Sequence, residues 1–293
     1  MTRNTIQRLL VFFVGVPLFI AVELYFSFGR NIALVLLVLG LQVFGINEAA
    51  AMFAIKKTHL NKGYVLFLSL AATLLAYFAP VLAGVLPNAP SPLEIVLAAA
   101  LLGSLAVIAP LAFAKAEDFP DLLSKAAASL FVFFYCGVLS SFLVYITSCF
   151  GQMAAPVFTF TLMTFGNDSL AWLVGITLGR KRGIVAVSPG KSMAGFIGGV
   201  TGSLAAALLS YSLFPGSGFG SPSRVLFLGL AMACSAILGD LVESALKRSA
   251  GVKDSSSLVP GRGGVLDSFD SLLFSAPIFA LISSVLGFFP PLA

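Results

Sequence analysis

The chain has 293 residues, of which 59% are hydrophobic and only 10% charged, with a formal net charge of +5 and a mean hydropathy of +1.04. A water-soluble domain carries about 25% charged residues, so this chain cannot cover a soluble surface; a disordered chain and a secreted disulfide scaffold are excluded on the same composition. An all-α, polytopic integral membrane protein remains.

In chain order, nine stretches are long and apolar enough to cross roughly 30 Å of hydrocarbon as helices: 9–28, 31–55, 64–86, 93–114, 125–149, 154–178, 193–213, 224–247 and 270–289. They are too long, and alternate too little, to be strands of a membrane barrel. Turn residues or charges separate them, as at Gly29-Arg30, Lys56-Lys57, Pro87 to Pro92 and Pro215 to Pro222. With the N-terminus on the cytoplasmic side, fifteen of the 17 Lys and Arg residues fall inside, and only Arg30 and Arg224 fall outside. This topology explains the positive charge, and no nucleic-acid partner is needed. Arg3 and Arg8 precede an apolar run as in a signal peptide, but no small-x-small cleavage site follows, so the run is read as a retained helix. Cys136, Cys149 and Cys234 lack CxxC spacing and read as core thiols.

The character of the chain changes near residue 150. Residues 1–150 form a membrane region of about five helices with plain loops, whereas residues 151–293 form a region of about four helices that carries the chemistry. Acids within membrane helices are costly and point to function. Glu48, Asp168, Asp240 and Glu243 all lie within predicted spans; Glu23 lies near an outer end and is assigned no function. Asp240, Glu243, Ser244 and Lys247 stand at i, i+3, i+4 and i+7, which places them on one helical face. The plain reading is a Glu243–Lys247 ion pair, which leaves Asp240 unexplained.

The loop from Lys247 to Ser271 carries Lys247, Arg248, Lys253 and Arg262 around a glycine-rich turn, Pro260-Gly261-Arg262-Gly263-Gly264. Cations and close backbone approach suit a polyphosphate. Asp267 and Asp270 follow at i, i+3 where the last helix starts. They either complement the helix dipole or join Asp240 in a hard-oxygen site for Mg²⁺. Gly190-Lys191-Ser192 imitates the end of a P-loop, but Val185 stands where a glycine is needed. Ser188, Lys191 and Ser192 instead open a helix as a candidate anion site.

These residues resemble the signature of the phosphatidate cytidylyltransferase (CDP-diacylglycerol synthase) family, S-x-x-K-R, then K-D, then P-G-H-G-G, then D-R-x-D. Ser244, Lys247, Arg248, Lys253, Asp254, Pro260, Gly261, Gly263, Gly264, Asp267 and Asp270 supply it. Gly239-Asp240, Asn167-Asp168 and Ser188-Pro189-x-Lys191-Ser192 are similar to the family as well, so the resemblance covers about residues 160–275. Two positions depart from it, Arg262 for histidine and Ser268 for arginine.

The resemblance implies nucleotidyl transfer from CTP to phosphatidic acid, giving CDP-diacylglycerol and pyrophosphate for phospholipid biosynthesis. It implies Mg²⁺ as cofactor and leaves a second cation open. Asp240, Asp267 and Asp270 are expected to hold the metal, and with Lys247 to be catalytic. Asp168, Ser188, Lys191, Ser192, Ser244, Arg248, Lys253, Asp254, Gly263 and Gly264 are expected to bind substrate. A homodimer in the bacterial cytoplasmic membrane, with its site on the cytoplasmic side, is expected too. Two rivals are a CTP-dependent polyprenol or lipid kinase, which would release CDP, and an ion or solute transporter.

Overall fold

Apolar runs with no water to satisfy their backbone must close their hydrogen bonds internally, and here they do so as helices. The computed structural model describes residues 28–85, 89–150, 154–259, 261 and 263–290. The predicted span 9–28 lies outside these residues except for Phe28, and Arg3, Arg8, Glu23, Pro260 and Arg262 lie outside them too.

In chain order the helices are α1 Phe28–Ile55, α2 Lys62–Val85, α3 Pro92–Ile108, α4 Phe119–Val132, α5 Leu139–Cys149, α6 Ala155–Thr177, α7 Met193–Leu213, α8 Pro222–Ala250 and α9 Leu266–Leu286. A π turn, Phe133–Val138, joins α4 to α5 without a break, so the two form one rod. Among the described residues, seven rods are long and apolar enough to cross a membrane: α1, α2, α3 with its 3-10 extension, α4–α5, α7, α8 and α9. At 23 residues α6 has the length, but Asn167, Asp168 and four threonines lower its hydropathy. Apart from two isolated bridges, the described residues form no β-structure.

Local chemistry sets most of the ends. Ser91 accepts from the Glu94 amide, Glu94 accepts from the Ser91 amide at 2.6 Å, and Pro92 opens α3. Ser192 caps α7 by accepting from the Gly195 amide at 3.1 Å. Gly251, at φ 80°, ends α8. The start of α9 differs from expectation. It begins at Leu266, four residues before the predicted 270, and Val265 at its N-cap supplies no side-chain bond.

Close crossings bring the polar residues together. On α6 and α7, Ser203 Oγ donates to the Met163 carbonyl at 2.9 Å and Asn167 Nδ2 donates to Ser203 Oγ at 3.4 Å. On α8 and α9, a Cβ at Gly239 would lie 2.8 Å from the Asp270 carbonyl oxygen and 2.7 Å from Phe274 Cβ. Gly239 therefore permits a backbone approach that any side chain would block, and this crossing brings Asp240 and Asp270 to one level. Ser235 Oγ donates to Ser275 Oγ at 3.0 Å one turn away and fixes the register.

Candidate active site

The predicted residues separate into two neighbouring groups. The first is an acid cluster drawn from three helices. Asp168 of α6, Asp240 of α8 and Glu243 of α8 all act electrostatically on the buried Asp270 of α9. Ser271 bridges part of it, donating its amide to Asp270 Oδ1 at 2.6 Å and its hydroxyl to Asp168 Oδ1 at 3.5 Å. Lys191, just before α7, pairs with Asp240 at 2.6 Å and lies over the Phe196 ring. Ser244 Oγ donates to Asp240 Oδ1 at 3.4 Å.

The second group locks the signature loop. Lys247 is clamped between Glu243, at 2.5 Å, and Asp267. Asp267 Oδ2 also accepts from the Ser255 amide, the Ser255 hydroxyl and the Gly264 amide, each at 2.7 Å. The loop closes on itself through paired bonds between Val259 and Gly263 at 2.7 and 3.0 Å. Gly263 sits at φ 108°, and a Cβ there would lie 2.7 Å from Asp267 Oδ2, so both its conformation and its neighbour require glycine.

Glu48 of α1, singled out in the sequence as an intramembrane acid without a specific role, anchors the same loop. Its Oε1 accepts from Ser256 Oγ at 2.6 Å and the Val265 amide at 2.9 Å; its Oε2 accepts from Ser255 Oγ at 2.8 Å and the Leu266 amide at 2.9 Å. A carboxylate thus caps α9 from a helix more than 200 residues away in sequence. Ser255 carries one hydroxyl proton and lies within reach of both Glu48 and Asp267, so it can serve only one of them at a time.

Several expectations change in this geometry. The plain reading of Glu243 with Lys247 is realised, and Asp240 finds its partner in Lys191 instead. The expected metal trio of Asp240, Asp267 and Asp270 is not assembled. Asp267 is committed to Lys247 and the loop amides, and among the described residues no three acids, cysteines or histidines close into a ready metal cage. Lys247 is part-buried and held between two carboxylates rather than free to meet a phosphate. Ser192 is buried and occupied as a cap. The Gly264 amide points inward to Asp267. Lys253 and Asp254 are exposed, and Arg248 is exposed with one bond to the Val252 carbonyl. Ser188 lies in the loop before α7, whose Lys191 amide donates to its carbonyl at 3.1 Å.

The charge balance of the two groups is uneven. Six carboxyl groups, those of Glu48, Asp168, Asp240, Glu243, Asp267 and Asp270, meet the two ammonium groups of Lys191 and Lys247 among the described residues. Carboxyl groups gathered this closely attract positive charge. The oxygen donors of Asp168, Asp240 and Asp270 suit a hard divalent cation; Asp267 is engaged by Lys247 and the loop donors.

A family model described as the Cytidylyltransferase family matches residues 6–286 of the chain. Similar curated proteins include the Uncharacterized protein YnbB of Escherichia coli K12, 42% identical over 117 residues, and the phosphatidate cytidylyltransferase of Haemophilus influenzae, 41% identical over 121 residues. The phosphatidate cytidylyltransferase of Bacillus subtilis is 34% identical over 161 residues. These matches take in 40%, 41% and 50% of this chain, and they span 38%, 42% and 58% of the relatives' own length.

Proposed function

This chain belongs to the cytidylyltransferase family, and from that premise we propose that it joins CTP to phosphatidic acid, giving CDP-diacylglycerol and pyrophosphate. A phosphate oxygen of the lipid attacks the α-phosphorus of CTP. A new P–O bond forms as the bond to the oxygen bridging the α- and β-phosphorus breaks, and pyrophosphate leaves with that electron pair. The lipid phosphate is already anionic near neutral pH, so no strong base is needed. The obstacle is repulsion between two anions, which positioning and fixed positive charge overcome.

The observation that carries this reading is the gathering of acids at the α6–α8–α9 crossing, beside the cationic signature loop. Asp240 and Asp270 would hold Mg²⁺, with Asp168 beside them. When bound, the metal neutralises phosphate charge. Lys191 then has an anion to meet other than Asp240, and the exposed Arg248 and Lys253 offer charge to the polyphosphate. Asp267 acts indirectly, holding Lys247 and the Ser255 and Gly264 amides in one arrangement. The concentration of Lys and Arg on one side supports a site open to the cytoplasm, where CTP is found. We propose a homodimer in the bacterial cytoplasmic membrane on the family resemblance.

The test uses purified protein in detergent–lipid micelles with radiolabelled CTP, phosphatidic acid and Mg²⁺. Cytidine label is expected in the lipid phase with pyrophosphate released. Label remaining aqueous as CDP while the lipid gains phosphate would make the protein a kinase and overturn the proposal.

A further inference from the structure

The rod α4–α5 is interrupted by the π turn Phe133–Val138, in which the Leu139 amide donates to the Phe134 carbonyl, five residues back. Such a turn adds one residue to a helix, and π turns occur frequently at functional sites. Neighbouring side chains brace it. Gln42 of α1 donates to the Cys136 carbonyl at 3.2 Å and to Thr73 Oγ1 at 3.0 Å, and Ser140 Oγ donates to the same Cys136 carbonyl at 2.6 Å. The widened turn is therefore a held feature of the helix and not a frayed one.

Tyr135 sits in this turn, 1% exposed, its ring stacked on Phe131 with centroids 5.5 Å apart. Its hydroxyl is buried and has no hydrogen-bond partner. A phenol in that state has lost water without replacement, which folding alone does not favour. Asp270, Glu243 and Asp240 all act on it electrostatically, yet none of these acids accepts its proton. A neutral, unpartnered donor thus stands in the electrostatic field of the acid cluster. It can donate to an anion without adding charge of its own, which suits a phosphoryl oxygen entering a site already rich in charge.

We propose that Tyr135 is a further substrate-binding residue, its phenol donating a hydrogen bond to a phosphoryl oxygen of the substrate held beside Asp240 and Asp270. This rests on the nucleotidyl-transfer reading. The phosphoryl oxygen belongs either to the nucleotide or to the lipid, and kinetics separates them.

The experiment compares wild type with Tyr135→Phe in phosphatidic acid–detergent micelles. Phenylalanine keeps the ring and its stack on Phe131. The thermal midpoint of the ligand-free variant is expected to equal or exceed that of wild type, because only an unpartnered hydroxyl is lost. The value of kcat/KM is expected to fall about tenfold or more, the worth of one hydrogen bond to a charged oxygen. A rise in KM for CTP assigns the bond to the nucleotide, and a rise for phosphatidic acid assigns it to the lipid. Unchanged kcat/KM for both substrates, or a lowered midpoint that accounts for the lost activity, overturns the proposal. If wild type itself makes no CDP-diacylglycerol, the reaction reading fails separately, and binding decides the role of Tyr135. Mg²⁺–pyrophosphate should then raise the midpoint of wild type more than that of Tyr135→Phe; equal shifts, or none in either, overturn it.

Discussion

Replacing Glu48 by alanine removes four hydrogen bonds at once, two from backbone amides of the first turn of α9 and two from loop hydroxyls. The hydroxyl losses are small, since Ser255 Oγ already lies 2.7 Å from Asp267. The Val265 and Leu266 amides have no such alternative, because both residues are buried. Each stranded amide costs about 1–3 kcal/mol, and losing an anion at a helix N-terminus adds about 0.3–1 kcal/mol. The sum is about 2–7 kcal/mol, concentrated where the signature loop enters α9. Glu48→Gln keeps one acceptor oxygen but sets an amide N–H₂ against two donors, so roughly half the loss is expected. Thermal unfolding in detergent and CDP-diacylglycerol formation are the two assays. Glu48→Ala should lower the midpoint and cut turnover by more than tenfold, with Glu48→Gln between it and wild type. An alanine variant with wild-type midpoint and turnover would refute the anchoring role.

Asp240→Asn and Asp270→Asn should each abolish product formation while the thermal midpoint holds or rises, since each removes one charge from a crowded acid cluster; full activity in both would refute their role. Asp267→Asn should behave differently, losing stability as well as activity by about 1–3 kcal/mol, because it leaves the part-buried Lys247 with half its clamp. Thermal unfolding distinguishes the two classes. Gly239→Ala should cost about 1–3 kcal/mol by forcing α8 from the Asp270 carbonyl, and its product assay should show a loss that larger side chains deepen.

How legible each part was depends on the distance over which its cause acts. The helices were readable because apolar run length is a local property: the 193–213 run matches α7, and 31–55 and 154–178 fall within a few residues of α1 and α6. The face shared by Asp240, Glu243 and Lys247 was readable for the same reason. The start of α9 was not. Its first turn mixes Asp267 and Ser268 with apolar residues, which depresses the average, and its cap comes from Glu48 rather than from a neighbouring Ser or Asp. The commitment of Asp267 was equally hidden, since i, i+3 spacing shows that two carboxylates share a side but not which cation lies opposite. The π turn leaves no pattern in Phe-Phe-Tyr-Cys-Gly-Val, because Gln42 and Thr73, which brace it, lie on other helices.

The reach of Glu48 also orders the making of the protein. Its four bonds span between 207 and 218 residues, so the loop cannot take its final shape until a residue near the start of the chain meets residues near its end. Contacts of such long sequence separation form slowly and late. During synthesis, α1 is made before the Ser255–Leu266 segment, so the four bonds of Glu48 can form only once the last helix is made. The segment from α6 to α9, made alone, would carry the acids of the site and lack the anchor of its loop.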